Sequence, residues 1–138
     1  MKTAFVTGGS RGIGKSIALD LGNKFHVVVG FSVSNDKAKE VSETIISNGG
    51  SSSTVQIDIS ESNSVDEAFS SIEKDYASVD VLINNAGITK DNILPRMKED
   101  EWLEVVQTNL TGSFYTSQRA IKLMKKNKWG RIIFISSV

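Results

Sequence analysis

The sequence has no cysteine and only one histidine, His26, among 138 residues. The first absence excludes a disulfide framework, a thiolate metal site and a catalytic thiol; the second excludes any centre that needs two imidazoles. Proline is nearly absent as well, with Pro95 alone. No linker therefore divides the chain, and the longest Gly/Ser-rich stretch is Asn48-Gly49-Gly50-Ser51-Ser52-Ser53. No run approaches the ~18 consecutive apolar residues of a membrane span. Met1 leads straight into Lys2-Thr3-Ala4-Phe5-Val6-Thr7, without the apolar region of a secretory signal. The expected compartment is the cytoplasm, with no membrane contact. Metal ligation is not expected, and chemistry falls to Ser, Thr, Tyr, Asn, Lys, Arg or carboxylates.

What is present is a globular composition, 39% hydrophobic and 23% charged, with sixteen Lys+Arg against sixteen Asp+Glu. That mixture excludes disorder and indicates one folded unit. The charges are unevenly placed: residues 1–104 carry ten basic and sixteen acidic groups, whereas residues 105–138 carry six basic groups and no acid.

Short β-branched runs alternate with longer segments of helical period. They are Thr3–Thr7 then Ile13–Leu21, Val27–Phe31 then Lys37–Ser47, Thr54–Ile59 then Val65–Tyr76, Val79–Asn84 then Glu101–Lys125, and finally Arg131–Ser136. The strands Ala4-Phe5-Val6, Val27-Val28-Val29, Val81-Leu82-Ile83 and Ile132-Ile133-Phe134-Ile135 are continuously apolar, as parallel strands covered on both faces should be. The pattern predicts an α/β fold with a doubly wound, Rossmann-type parallel sheet. Ser62 and Ser64 are expected to precede the third helix, with Asp66 and Glu67 in its first turn. Asn48-Gly49-Gly50 should stop the second helix, and a helix from about Asp100 begins acidic and ends on Lys122, Lys125 and Lys126, matching its dipole.

Directly after the first strand comes Thr7-Gly8-Gly9-Ser10-Arg11-Gly12-Ile13-Gly14-Lys15-Ser16, opening a helix whose N-terminal amides can hold phosphate. Two readings fit. Gly9 to Ser16 satisfies G-x-x-x-x-G-K-S, the P-loop pattern, in which Lys15 would reach phosphates and Ser16 would ligate Mg²⁺. Alternatively Gly8, Gly12 and Gly14 form a dinucleotide-binding turn, and Lys15 and Ser16 merely begin the helix. A P-loop enzyme also needs an apolar strand ending in Asp. Val81-Leu82-Ile83 ends instead in Asn84-Asn85-Ala86-Gly87, which weighs against that reading, while Asp58 after Val55-Gln56-Ile57 keeps it open.

Four signatures, Thr7-Gly8-Gly9-Ser10-Arg11-Gly12-Ile13-Gly14, Asn84-Asn85-Ala86-Gly87, Asn109 inside a helix, and Ser136-Ser137 after a strand, resemble the short-chain dehydrogenase/reductase family. Within it, the segments Asn84 to Asn92, Arg96-Met97-Lys98, Gln107 to Thr111 and Gly130 to Ile133 are most similar to bacterial 3-oxoacyl-[acyl-carrier-protein] reductases. The resemblance implies NADPH-dependent reduction of 3-oxoacyl thioesters to 3-hydroxyacyl thioesters in fatty acid synthesis. Acetoacetyl-CoA reductases carry much of the same text and remain an alternative, as does a non-catalytic nucleotide-binding module. The resemblance further implies that residues 1–138 are the N-terminal part of a single NAD(P)-binding Rossmann domain whose remainder begins with a Tyr-x-x-x-Lys helix. Neither tyrosine here has that spacing, because Tyr76 is followed by Asp80 and Tyr115 by Arg119. The chain by itself is therefore expected to be inactive.

By motif position, Ser137 is the residue that hydrogen-bonds the substrate carbonyl, and Asn109 is the helical Asn that bends its helix and holds a proton-relay water. An Asn within a helix is also unfavourable in itself, which points to a task beyond propensity. Gly8, Gly9, Ser10, Arg11, Gly12, Ile13 and Gly14 are expected to hold the cofactor phosphates, and Asn85, Ala86 and Gly87 to line its ribose. Asn84 is expected to tie neighbouring strands together. The end of strand two, Val29-Gly30-Phe31-Ser32-Val33-Ser34, lacks the acid that an NAD enzyme sets against the ribose 2′-hydroxyl. Arg11 fits a 2′-phosphate, flanked by Ser32, Val33 and Ser34. Asp58 and Ile59 match the pair that meets adenine. The basic end, Lys125, Lys126, Lys128 and Arg131 with Arg119 and Lys122, complements a helix C-terminus and in this family would dock an acidic acyl carrier protein. No nucleic acid is expected, since no aromatic platform interleaves those charges. A homo-oligomer, tetrameric when complete, is implied. His26 carries no expected role, and Trp102, Tyr115 and Trp129 read as packing residues.

Overall fold

A computed structural model describes residues 1–137. The chain runs β1 (Thr3–Val6), α1 (Gly12–Leu21), β2 (His26–Phe31), α2 (Asn35–Ser47), β3 (Ser51–Gln56), α3 (Ser62–Tyr76), β4 (Val81–Asn84), a 3₁₀ turn (Leu94–Arg96), α4 (Glu99–Val105), a π-helical stretch (Val106–Thr111), α5 (Gly112–Asn127) and β5 (Arg131–Phe134). The five strands form one parallel sheet in the order β3-β2-β1-β4-β5. This is the expected doubly wound α/β arrangement, in which the order reverses at β1 and a crevice opens at the carboxyl ends of β1 and β4.

Alternation along each strand feeds two cores. Phe5, Val28 and Leu82 join Ala68, Phe69 and Ile72 of α3 and Ala120, Leu123 and Met124 of α5 on one face. Their neighbours Ala4, Val6, Val27, Val29, Val81 and Ile83 join Ala18 of α1 and Ala38, Val41 and Ile45 of α2 on the other. Both faces being buried is what makes the middles of β1, β2 and β4 apolar, with Thr3, His26 and Asn84 at their ends. β5 departs from this expectation. Like β3 it is an edge strand among the described residues, and Ile133 and Phe134 are 47% and 58% exposed.

Several local expectations are corrected. β3 begins at Ser51 rather than Thr54, because β2 supplies partners for its hydroxyls: Ser52 donates to the Val27 carbonyl at 2.8 Å, while Ser51 and Ser53 bond the His26 ring at 2.7 and 3.1 Å. Ser62 and Ser64 lie inside α3 instead of preceding it. Ser62 Oγ accepts from Arg119, Ser64 Oγ accepts the Asp58 N–H, and Asp66 falls beyond the first turn. The Arg119 guanidinium, hydrogen-bonded to Asp66, holds that carboxyl below its ordinary value. The single helix expected over Glu101–Lys125 is broken by the π-helical stretch. Asn84 ties β4 to α5 and not to another strand: its Oδ1 accepts from Thr116 at 2.6 Å and its Nδ2 donates to Ser117 at 3.2 Å. Trp102 is exposed, whereas Tyr115 and Trp129 do pack against the two cores.

Other signals hold. The Gly49 and Gly50 N–H groups donate back to Ile46 and Ile45 and end α2. α4 opens on Glu99, Asp100 and Glu101, with the Lys98 N–H donating to Glu101 Oε2, and α5 closes on Lys125 and Lys126. No helix among the described residues is long and apolar enough to cross a membrane.

Candidate functional site

The crevice is built from the loop after β1. Gly8 and Gly12 have φ of +61° and +57°, a backbone that L side chains adopt rarely. Gly14 is required for a different reason: a Cβ there would stand 2.2 Å from the Gly8 carbonyl oxygen and 2.4 Å from Asn85 Nδ2. These positions fit the dinucleotide-binding turn. The P-loop reading fails on two placements. Lys15 faces α2, sharing a groove with Glu40, Glu43, Thr44 and Ser47. Asp58 follows β3, which pairs with β2 and is separated by it from β1.

A polar joint locks the loop to the end of β4. The Thr7 hydroxyl, 1% exposed, accepts the Asn85 and Ala86 N–H groups at 3.1 and 3.0 Å and donates to the Ile83 carbonyl at 3.3 Å. In return Asn85 Nδ2 donates to the Thr7 and Gly8 carbonyls at 3.2 and 3.1 Å. Asn109 makes the matching joint one segment later. Its Oδ1 accepts the Ile88 N–H at 2.8 Å and its Nδ2 donates to the Ile88 carbonyl at 2.9 Å. The side-chain amide thus substitutes for a strand partner, and it does so from the π-helical stretch. Gly87 beside it must be small, since a Cβ would come within 3.0 Å of Asn109 Oδ1.

Three connected hollows form a trough along these joints, and Ala86, Gly87 and Ile88 wall all three. The first, of about 490 Å³, is lined by Gly8, Ser10, Arg11, Gly12, Ile13, Ser32, Val33, Ser34 and Asn85, and Arg11 is its one charged residue. The second, of about 300 Å³, holds Asp58, Ile59, Ser60, Glu104 and Thr108. The Asp58 carboxylate accepts from the Ser60 N–H and hydroxyl at 3.0 and 2.6 Å, an Asx turn that fixes it at the rim. Ile59 is largely buried, with its backbone against Gly112. The third, of about 720 Å³, contains Ile13, Asn84, Asn109, Ser113, Phe134, Ser136 and Ser137 and carries no ionisable side chain.

Every residue singled out from the sequence for this site lines the trough except Gly9 and Gly14, which are buried beneath it and shape it. Sequence reasoning missed Ile88, Thr108 and Glu104, and assigned no task to Thr7. The signal for Thr7 was a hydroxyl ending an apolar strand. Among the described residues no Tyr or Lys lines the trough. Tyr76 stacks on His26, and Tyr115 lies beneath Arg119.

The basic end of the chain lies elsewhere. α5 has 16 residues, so its C-terminus stands about 24 Å from its start at the trough. There Lys126 pairs with Glu73, while Lys2 and Arg131 flank the Trp129 ring at 4.5 and 5.3 Å.

Comparison with known proteins agrees with this geometry. The family model described as short chain dehydrogenase matches residues 2–138. A 3-oxoacyl-[acyl-carrier-protein] reductase FabG of Pseudomonas aeruginosa is 44% identical over 137 residues, covering 99% of this chain and 56% of that protein. Its counterpart in Staphylococcus epidermidis is 45% identical over 138 residues, covering 99% and 57%. The chain thus spans little more than half the length of the curated relatives it matches. Among solved structures, a metagenomic short-chain oxidoreductase in complex with NADP superposes with a TM-score of 0.94 at 32% identity, covering 99% of this chain and 62% of that one. With the glycine loop, the Asn-Asn-Ala-Gly wall and a family match across nearly every residue, the chain belongs to the short-chain dehydrogenase family.

Proposed function

We propose that the trough binds NADPH and that this chain is the cofactor-binding part of a reductase acting on 3-oxoacyl thioesters. The observation that carries the reading is the first hollow. Its glycine loop is cleared of side chains for a pyrophosphate, and its one charged lining residue is a cation, Arg11, beside the polar and uncharged Ser32 and Ser34. A 2′-phosphate is stabilised in such a place and a bare ribose gains nothing from it. Bound there, NADPH would supply a hydride to the 3-oxo carbon. Asp58 and Ile59 would meet the adenine, and Asn85, Ala86 and Gly87 the ribose.

The residues of the third hollow would then do the remaining work. Ser137 would donate a hydrogen bond to the substrate carbonyl oxygen, where negative charge develops. Asn109, by holding Ile88, would keep the wall of the trough at a fixed distance from it. The proton for the forming alkoxide needs a donor that the described trough does not contain, consistent with a Tyr-x-x-x-Lys pair lying outside these residues. The same observation favours a second reading, a catalytically silent nucleotide-binding module. Carrier-protein docking is supported by Lys125, Lys128 and Arg131 at the basic end, with Lys126 already engaged by Glu73. The exposed Leu103, Leu110, Phe114 and Ile121 on α4 through α5 support a homo-oligomer.

Calorimetry tests the cofactor assignment. NADPH should bind in preference to NADH, ATP with Mg²⁺ should not bind, and Arg11→Ala should weaken NADPH more than NADH. Equal losses for both cofactors would remove Arg11 from the 2′-phosphate, and failure of a folded chain to bind either would end the reading. Acetoacetyl thioester should not be reduced by the chain alone; turnover near ~10 s⁻¹ would show that the missing donor is dispensable.

A further inference from the structure

The far end of the sheet, opposite the trough, holds the chain's sole imidazole in a built setting. His26 begins β2 and is only 9% exposed. Its Nδ1 and Nε2 lie 2.7 and 3.1 Å from the hydroxyls of Ser51 and Ser53, the first and third residues of the edge strand β3. Tyr76 at the end of α3 stacks on the ring, with centroids 4.1 Å apart and planes 28° from parallel. From β1 the Lys2 carbonyl accepts the His26 backbone N–H, while the Lys2 ammonium lies over Trp129 instead. On α3, Glu73 is taken up by Lys126. The ring's hydrogen-bond partners are thus two hydroxyls and no carboxylate, and Tyr76 is the one titratable side chain stacked against it.

We propose that His26 is a proton-operated latch on β3: on taking up one proton it loosens β3 from β2 while the rest of the sheet stays closed. A neutral imidazole suits two hydroxyls, since one ring nitrogen donates and the other accepts. Protonation turns the acceptor into a second donor, so one serine must turn its hydrogen away, and a charge enters a pocket that offers no counter-charge. Burial accordingly holds the ring's pKa below its ordinary 6.5. The unfolded chain then binds a proton that the folded chain refuses. The contact is fully stable above about pH 6.5 and weakens as pH falls through that value toward the folded-state pKa. Among the side chains hydrogen-bonded to or stacked on the ring, Ser51, Ser53 and Tyr76, none has an ordinary pKa between about 5 and 7. β3 is an edge strand, paired on one side only, and its first three residues are serines rather than apolar residues.

Amide hydrogen exchange on the 138-residue chain, expressed as protection relative to an unstructured peptide, reads the latch directly. Protection in β3 should fall between pH 7 and 5, by at most about tenfold per pH unit. Protection in β1 and β4 should stay constant, and His26→Gln, which keeps a donor and an acceptor, should leave β3 flat with pH. Constant β3 protection in the unaltered chain, an equal fall in His26→Gln, or a fall shared by every strand would each overturn the proposal. Should His26→Gln not fold, the imidazole titration of the unaltered chain decides: a midpoint below 6.5 that coincides with the loss of β3 protection supports the latch, and a midpoint at or above 6.5 removes it.

Discussion

Replacing Thr7 by Val would remove one oxygen and almost no volume, and the structure assigns that oxygen three hydrogen bonds. The Asn85 and Ala86 N–H groups, bound at 3.1 and 3.0 Å, would lose their acceptor, and the Ile83 carbonyl would lose a donor. A buried donor left unsatisfied costs about 1–3 kcal/mol. Asn85 and Ala86 are half-buried, so water can reach one of the two, and a total near 3 kcal/mol is expected for the pair. Against a domain stability of roughly 5–15 kcal/mol this is large. It corresponds to a fall in Tm of roughly 10 °C for a chain of this size. Thr7→Ser is the control, because it keeps the oxygen and loses one methyl, worth about 1 kcal/mol. Thermal unfolding followed by circular dichroism would order the three proteins as unaltered, Ser, Val. If Val proved as stable as Ser, the hydroxyl would not be the joint between β1 and β4 and its part in holding the trough would have to be given up.

Other consequences are open to equally simple tests. Gly14→Ala would drive a methyl into the Gly8 carbonyl and the Asn85 amide, so the loop should shift and NADPH binding by calorimetry should fall at least tenfold; unchanged affinity in a folded variant would contradict the close approach. Phe134→Lys on the exposed edge of β5 should shrink the scattering mass of the chain at high concentration without lowering Tm, because apolar edges template association. An unchanged mass would place self-association elsewhere. Asp80→Ala would strand the Thr3 N–H and the Ser78 hydroxyl, which its carboxylate accepts at 2.8 and 2.9 Å, and should cost about 2–5 kcal/mol in denaturant unfolding; a loss below 1 kcal/mol would refute its role as a clamp on β1.

Strands buried on both faces were legible because burial leaves only one kind of residue possible, as in Val27-Val28-Val29. β3 was partly hidden for the opposite reason. Its first three residues are serines, which resemble a loop until the strand beside them is known to supply His26 and the Val27 carbonyl. The break between α4 and α5 was marked only by Asn109, an unfavourable residue within a helix; its extent was not legible, since a π-helical turn shifts the phase of a helix without needing a residue type of its own. The trough was legible through glycines, whose backbone geometry and clearance restrict each position, and through motif spacing. Ile88 and Glu104 were not, because an isoleucine or a glutamate on a wall is chemically no different from one on any surface.

The Thr7 joint also bears on the order in which the molecule is made. Its hydrogen bonds connect residues 76 to 79 apart in sequence, and closing a loop of that length costs on the order of 4 kcal/mol before any contact repays it. The two sides of the crevice are therefore strangers during synthesis. β1, α1 and β2 can associate while the chain is still emerging, but the trough has no second wall until Ala86 has been added, and no brace on Ile88 until Asn109 follows. A ligand of the trough thus meets a chain in which β1 to β4 are already made and cannot seed their pairing. Its effect on folding is to retain molecules that have already closed, in proportion to its concentration over its dissociation constant. Cells short of that ligand would make the chain at the same rate and lose more of it afterwards.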